Sequence, residues 1–524
     1  MSRPTIGSVA DLLAGAALDS PDTLALRCGT DRLTYAELDA TVRRGATAWR
    51  RHGLETGDQV AVWAVNTLDC AVSMLSVVVA GGVLVPVNPR YTAVEAAAIV
   101  RRADCRFMVA PDTFRDRPLA TEAAAIVAPH QLVSLGATAP DHGVRWADLL
   151  AAAPEETDSS GTAEHAVVQF TSGTTGAPKG ALLRQRPLVA TAATWARNVG
   201  LRRGDVFPTT YPLAHVGGFK TGLISPFHAR ATVVLIPHVS RASLVELVGG
   251  GAVTVLNAPP TVQSYVLDAH RSGELPEHLN IRTAVIGSAV VPPDLVRGLV
   301  TELGVRDVVV AYGLTEATGV CTMTRLGDPP ELGSQTVGAP IDGVEVRIAT
   351  GSSRSPDSPR RGPDHTGELE VRGANVMAGY LDDPAATDEV LRDGWLRTGD
   401  VAWIGEDGYV RIVGRARELI LVGGFNVYPA EIEHVLREHP GVREAAVVGV
   451  PHERLGEVPV GFVVAEGVPA EGLLDWARNR LADFKMPRHV WFVDALPRGA
   501  VGKVAKPELT RLARERLAAT VDRP

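Results

Sequence analysis

Apolar and polar positions alternate along the chain in two periods. Near the N-terminus Val9, Leu12, Leu13, Ala16 and Ala17 recur at the spacing of one helix face, and Ser8 with Asp11 supplies a cap. This predicts a surface helix. The apolar stretch from Leu12 to Leu18 is bracketed by Asp11 and Asp19 and is followed by no cleavage pattern, so it is not read as a secretory signal. From Cys70 to Val87 there is no charge, long enough to raise the question of a membrane span. Gly81-Gly82 and Pro86 interrupt that run. The pattern therefore predicts a buried helix ending at Gly81 and then the buried strand VLVPV, not a span.

The same alternation continues over the first part of the chain. LTYAELDATVRRGATAWRRHG (33–53) predicts an amphipathic helix closed by Gly53, and DQVAVWAV (58–65) a buried strand. Residues 91–103 predict a helix and 106–110 a strand. Such alternation argues for layered α/β architecture with largely parallel sheets. No internal repeat is evident. Residues 351–364 hold nine Gly, Ser or Pro, which predicts a surface insertion before the strand GELEVRG. A stronger boundary falls near Arg415, after GYVRIVGR with its Asp407-Gly408 turn. Beyond it lies a compact α+β pattern. Pro429 opens a helix with Ile432, Val435 and Leu436 on one face. Strands at 444–450 and 459–465, a helix near 471–483 and a strand at 489–493 follow.

Composition narrows the function. The chain has 524 residues, enough for several domains, with 45% apolar and 21% charged residues. A mainly disordered or fibrous chain is excluded. The 52 Lys and Arg against 60 Asp and Glu leave a formal charge of −8, which argues against nucleic acid as the main ligand. Cys28, Cys70, Cys105 and Cys321 are too far apart for a CxxC or zinc pattern. They read as reduced thiols of a cytoplasmic protein.

The most informative string is TSGTTGAPKG, Thr171 to Gly180, directly after the strand AVVQF. Glycines let backbone N–H groups approach oxygens closely. Hydroxyls add donors and Lys179 adds charge, so the string describes a phosphate cradle. Its spacing differs from the common P-loop, because Lys179 stands three residues after Gly176.

This string resembles the phosphate-loop signature of adenylate-forming enzymes: acyl-CoA synthetases, peptide-synthetase adenylation domains and luciferases. Four further strings follow in that family's order. AYGLTE (311–316) is similar to its adenine and magnesium motif and WLRTGD (395–400) to its ribose motif. GRARELILVGGFNVYPAEIE (414–433) is similar to its hinge and the loop after it, and LPRGAVGK (496–503) to its catalytic-lysine motif.

The resemblance implies a fold. A large N-terminal domain over 1–413 would combine layered α/β subdomains with a small β-barrel. A hinge at 414–418 would lead to a small, mobile α+β domain over 419–524. It also implies a site. ATP would meet Thr171, Ser172, Gly173, Thr174, Thr175, Gly176 and Lys179, with Gly287, Ser288 and Ala289 between adenine and substrate. Tyr312 would stack on adenine beside Gly313, and Thr315 would bond the α-phosphate. Glu316 would offer a hard oxygen to magnesium, and Asp400 with Arg415 would hold the ribose side. Lys503 would bridge carboxylate and phosphate oxygens, offsetting the repulsion between two anions. His215, in YPLAHVGG, would lie beside the substrate carboxyl; it follows Ala214, where the family often has an aromatic residue. Arg417 would be the hinge residue, and Gly423-Gly424 would let a pantetheine arm pass close to the backbone.

The leading expectation is an AMP-forming acyl-CoA synthetase that uses ATP, Mg2+ and CoA on a small-molecule acid. Transfer to an amine or a separate carrier protein is the alternative, as is activation of a small oxyanion such as nitrite. A catalytically silent nucleotide-binding protein is a third reading, opposed by Glu316, Asp400 and Lys503 together. Fatty, aryl and polycyclic acids all suit the sequence, and no pattern in it selects an oligomeric state.

Overall fold

A computed structural model describes residues 6–63, 65–137, 143–154, 163–171, 178–349, 362–415, 418, 420–422, 425–452, 455–478, 480–481, 485–499 and 502–521. The chain forms two compact units. One comprises Met1–Val346 with Val371–Leu396, the other Arg347–Glu370 with Arg397–Pro524.

In the first unit, helices and strands alternate as the periodicity predicts. The helix Val9–Asp19 buries Val9, Leu12, Leu13 and Ala16, and the Ser8 hydroxyl accepts from Asp11 N. The uncharged run resolves into the buried helix Leu68–Val79 and the buried strand Val83–Val87, with Gly81 at φ +90° making the break. One boundary differs from expectation. Leu33 and Thr34 belong to the strand Asp31–Thr34, and the helix runs Tyr35–Arg51. A capping box sets this start: Thr34 N donates to Glu37 Oε2 at 2.8 Å, and Glu37 N to Thr34 Oγ1 at 3.2 Å.

Among the described residues, three sheets organise this unit. The largest has seven strands, in the order Val144–Arg145, Leu132–Ser134, Phe107–Ala110, Gln59–Trp63, Val83–Val87, His165–Thr171, Lys179–Arg184. All its pairs are parallel except the last. A second sheet sets Val255–Ala258, Thr283–Gly287 and Asp307–Tyr312 parallel, then adds two short antiparallel strands. The third is a four-stranded sheet including Leu24–Cys28 and Val206–Thr209. Helices such as Leu68–Val79, buried on every side from Cys70 to Val79, fill the layers against these sheets.

The second unit carries the strands Val410–Arg415 and, from Arg397 onward, most of Trp395–Ile404. Its C-terminal part packs Pro429–Arg437, Ala470–Arg478 and Lys506–Val521 with strands Val442–His452, Gly456–Ala465 and His489–Phe492. The helix opens at Pro429 as predicted. The helix expected near 471–483 is described over Ala470–Arg478, and residues 479 and 482–484 lie outside the described residues. The expected insertion at 351–364 lies largely outside the described residues. No helix among the described residues is long and apolar enough to cross a membrane.

Candidate active site

The sequence-predicted residues of the first unit gather where parallel strands end. Thr171, Gly287 and Tyr312 each close their strand at its C-terminal end, and Gly287 pairs with Ala311 in register. This is where open α/β sheets bind ligands, because the connections there diverge and leave a crevice.

Thr171 and Lys179 face each other across the antiparallel pair that flanks the glycine-rich loop. The Thr171 hydroxyl donates to the Lys179 carbonyl at 3.4 Å. Ser172, Gly173, Thr174, Thr175 and Gly176 lie outside the described residues. Lys179 Nζ lies 5.3 Å from the centre of the Tyr380 ring and 4.0 Å from the Glu389 carboxylate.

Glu316 sits in a single helical turn, Thr315–Ala317, immediately after the strand that bears Tyr312. The turn is pinned from below. Asn375 Nδ2 donates to Ala317 O at 3.3 Å and Val320 O at 2.9 Å, while Thr318 Oγ1 donates to Asn375 O at 2.6 Å. Gly313 permits it, because a Cβ there would lie 2.5 Å from Gly319 C and Val320 N. Tyr380 donates its phenol proton to Glu316 Oε1 at 2.8 Å. The backbone of the same segment bridges to Ala181, Met377 N donates to Glu316 O at 2.8 Å, and Leu381 N donates to Gly180 O at 2.8 Å. One crossing segment thus ties the lysine end of the phosphate loop to the glutamate. Sequence reasoning missed Tyr380, which lies in no recognisable string; its role comes from pairing at long range.

The His215 loop closes another side. His215 Nδ1 accepts from Gly217 N at 3.0 Å, which leaves the proton of the neutral ring on Nε2. Its ring stacks on Tyr211 at 6.3 Å between centroids. Tyr211 in turn donates to Gly287 O at 3.4 Å, and burial pushes its phenol well above its usual range. Gln169 Nε2 donates to Ala214 O at 2.9 Å, anchoring this loop to the strand that leads into the phosphate cradle. Gly218 is required by contact, since a Cβ there would meet Pro212 O at 1.9 Å. Ser288, at φ +70°, and Ala289 are exposed at the end of their strand.

The second unit holds the remaining described candidates. Asp400 is buried, pairs in register with Arg415, and accepts from Arg415 Nε at 2.7 Å. Lys503 is exposed, in a loop closed by Gly499 N to Lys503 O at 2.8 Å and Ala505 N to Pro497 O at 2.7 Å. Just beyond it, Lys506 Nζ meets Glu418 at 2.5 Å and Glu433 at 2.9 Å. Arg417, Gly423 and Gly424 lie outside the described residues.

Among the described residues no cluster of three His, Cys, Asp or Glu side chains could hold a metal by itself. Glu316 offers one carboxylate with one oxygen already oriented by Tyr380. That donor set fits magnesium arriving on a nucleotide, which keeps waters and phosphate oxygens and takes one or two carboxylates.

In the first unit, Tyr380 joins the Glu316 carboxylate and Lys179, and in the second, Asp400 pairs with Arg415. The sequence matches the AMP-binding enzyme profile over residues 13–381 and the AMP-binding enzyme C-terminal domain over 431–503. The chain belongs to the AMP-binding enzymes. A 3-[(3aS,4S,7aS)-7a-methyl-1,5-dioxo-octahydro-1H-inden-4-yl]propanoyl:CoA ligase of Mycobacterium tuberculosis is 39% identical, over 94% of this chain and 96% of its own. ATP-bound MatB from Rhodopseudomonas palustris superposes with a TM-score of 0.83 at 32% identity, covering 96% of this chain and 98% of its own. The amide bond synthetase McbA from Marinactinospora thermotolerans gives 0.85 at 29% identity, covering 96% and 99%.

Proposed function

We propose that this AMP-binding enzyme loads a bulky cyclic organic acid onto CoA. The activity has two stages. ATP activates a carboxylic acid to an acyl-adenylate with loss of pyrophosphate, and CoA then takes the acyl group with release of AMP. The observation that carries the substrate class is full-length similarity to a ligase for a methylated dioxo-octahydroindenyl propanoate. The His215 loop supports it. Ala214, directly before His215, stands where the family often has an aromatic residue, so the acyl side carries a smaller side chain at that position.

In this reading the cradle from Thr171 to Lys179 holds the phosphates, and Tyr312 with Gly287, Ser288 and Ala289 holds the adenine. Thr315 bonds the α-phosphate. Asp400 accepts from the ribose hydroxyls, with Arg415 fixing its carboxylate. Glu316 holds magnesium, which supplies charge neutralisation when bound. His215 Nε2–H donates to the substrate carboxyl. Lys503 offsets the charge that builds between carboxylate and α-phosphate, the preorganised electrostatic contribution that lowers such barriers most. The segment 419–524 turns about a hinge at 414–418 to exchange Lys503 for the Gly423-Gly424 loop, so that CoA follows adenylation. The four free cysteines fit work in a reducing, cytoplasmic setting.

A second acceptor has one observation in its favour, the likeness to an amide bond synthetase. Carrier-protein loading is a further variant of the same half-reaction. ATP–pyrophosphate exchange over cyclic, aryl and straight-chain acids, followed by mass spectrometry with CoA or an amine, tests the proposal. Strongest exchange with cyclic acids and formation of their thioesters support it. Preference for short straight-chain acids overturns the substrate class.

A further inference from the structure

Lys220 is the one fully buried lysine among the described residues, and its Nζ has no hydrogen-bond partner among them. It occupies Gly217–Ile224, a helical stretch with the wider i to i+5 hydrogen bonding that begins two residues after His215. Such stretches are rare and cluster at functional sites. The backbone there is satisfied. Lys220 O accepts from Ser225 N and, at 3.1 Å, from Ser225 Oγ. Only the amine is left over.

Cys321 is an ionisable group that interacts with the amine, and Cys321 N donates to Tyr312 O at 2.7 Å. Val216, four residues before Lys220, packs on Gly319 of the turn that follows Glu316, where a Cβ would lie 2.9 Å from Val216 Cγ1. Lys220 thus stands on the short helical stretch that follows His215 and whose neighbour Val216 packs against Gly319, within electrostatic reach of Cys321. A lysine head has donors only. A buried donor without an acceptor is costly, and solvent does not reach this one.

Resting on the reading of the site as acid-activating, we infer that Lys220 is a specificity residue whose amine receives an oxygen acceptor carried by the acyl group away from its reacting carboxylate. A ring ketone and a second carboxylate share that chemistry. An acid lacking such an oxygen leaves the donor unpaired, and sites built around a hydrogen bond reject analogues that cannot make it. Burial, which pushes the amine down to about 7, keeps it able to donate to a neutral carbonyl without carrying a full charge into the pocket.

The test compares wild type with Lys220→Met, which keeps the stem length and removes the donor. Three acids are used in pyrophosphate exchange: cyclohexylpropanoate, its ring-ketone counterpart and its ring-carboxylate counterpart. The expected result is a preference of about tenfold or more for one oxygenated acid in the wild type. That preference is lost in the variant, while exchange with the plain acid stays within about threefold. Which oxygenated acid wins distinguishes carbonyl from carboxylate. An unchanged preference in the variant overturns the inference while leaving acid activation intact, as it would if a trapped water served the amine. Thermal unfolding without ligand gives a readout independent of turnover. A variant equal to or more stable than wild type is expected, and a clearly destabilised one would show that Lys220 already has a structural partner, overturning the inference.

Discussion

Tyr380 donates to Glu316 Oε1 at 2.8 Å while its ring lies beneath Lys179 Nζ. One side chain thus orients the carboxylate proposed for magnesium and the lysine proposed for phosphate. Removing the hydroxyl leaves the ring contact with Lys179 and frees the carboxylate. Tyr380→Phe is expected to raise the magnesium concentration needed for half-maximal exchange by about 10-fold, in the range found for lost orienting partners. A magnesium titration of the variant checks this. Unaltered dependence would detach Tyr380 from the metal site.

Asp400 is 4% exposed and its partner Arg415 is bonded through Nε. Asp400→Asn keeps the shape and removes the charge. Loss of one acceptor oxygen and of the charge that strengthens both bonds to a ribose is expected to raise the KM for ATP by about 10² while the melting temperature moves by only a few degrees. Steady-state kinetics at saturating acid measure the first, and scanning calorimetry the second. A large fall in melting temperature with unchanged KM would make the pair structural.

Lys503 is exposed in a loop fastened at both sides to its own neighbours, so its removal is expected to leave the fold intact. Lys503→Ala should lower adenylate formation by about 10²–10³-fold, the usual cost of one preorganised donor. Thioester formation from a supplied acyl-adenylate should fall far less. Equal loss of both half-reactions in a folded variant would refute that division.

Lys220 gives the stability a pH dependence of known sign. Its amine titrates near 7 in the folded protein against an ordinary 10.5. Between those values the unfolded chain holds the proton and the folded protein does not. Stability therefore rises as pH rises from about 7 toward about 10.5, by about 1.4 kcal/mol per pH unit for this one proton. Urea unfolding of wild type and Lys220→Met across that window isolates it, because other titrating groups cancel in the difference. A difference independent of pH would mean that the amine is charged when folded.

Much of this protein is legible in its sequence where the signal is local. The helix after Ser8, the break at Gly81-Gly82 and the start at Pro429 each depend on a cap, a glycine or a proline acting on its own neighbours. The string from Thr171 to Gly180 announces a phosphate cradle because few other functions need so many small hydroxylic residues beside one lysine. Contacts that close only in three dimensions leave no such trace. Tyr380 meets Glu316 across 64 residues of chain, and no periodicity marks it. Lys220 looks like any polar residue after a pair of glycines until its burial is known. The helix begins at Tyr35 and not at Leu33 because the cap, not the hydrophobic period, decides where a helix begins.

The most direct test of the account incubates the enzyme with ATP, magnesium and a bulky cyclic acid, first without and then with CoA, and follows the products by mass spectrometry. Acyl-adenylate and pyrophosphate before CoA, then acyl-CoA and AMP in equal amounts after it, are the predicted result. Formation of ADP and phosphate, or release of AMP with no thioester when CoA is present, would contradict it.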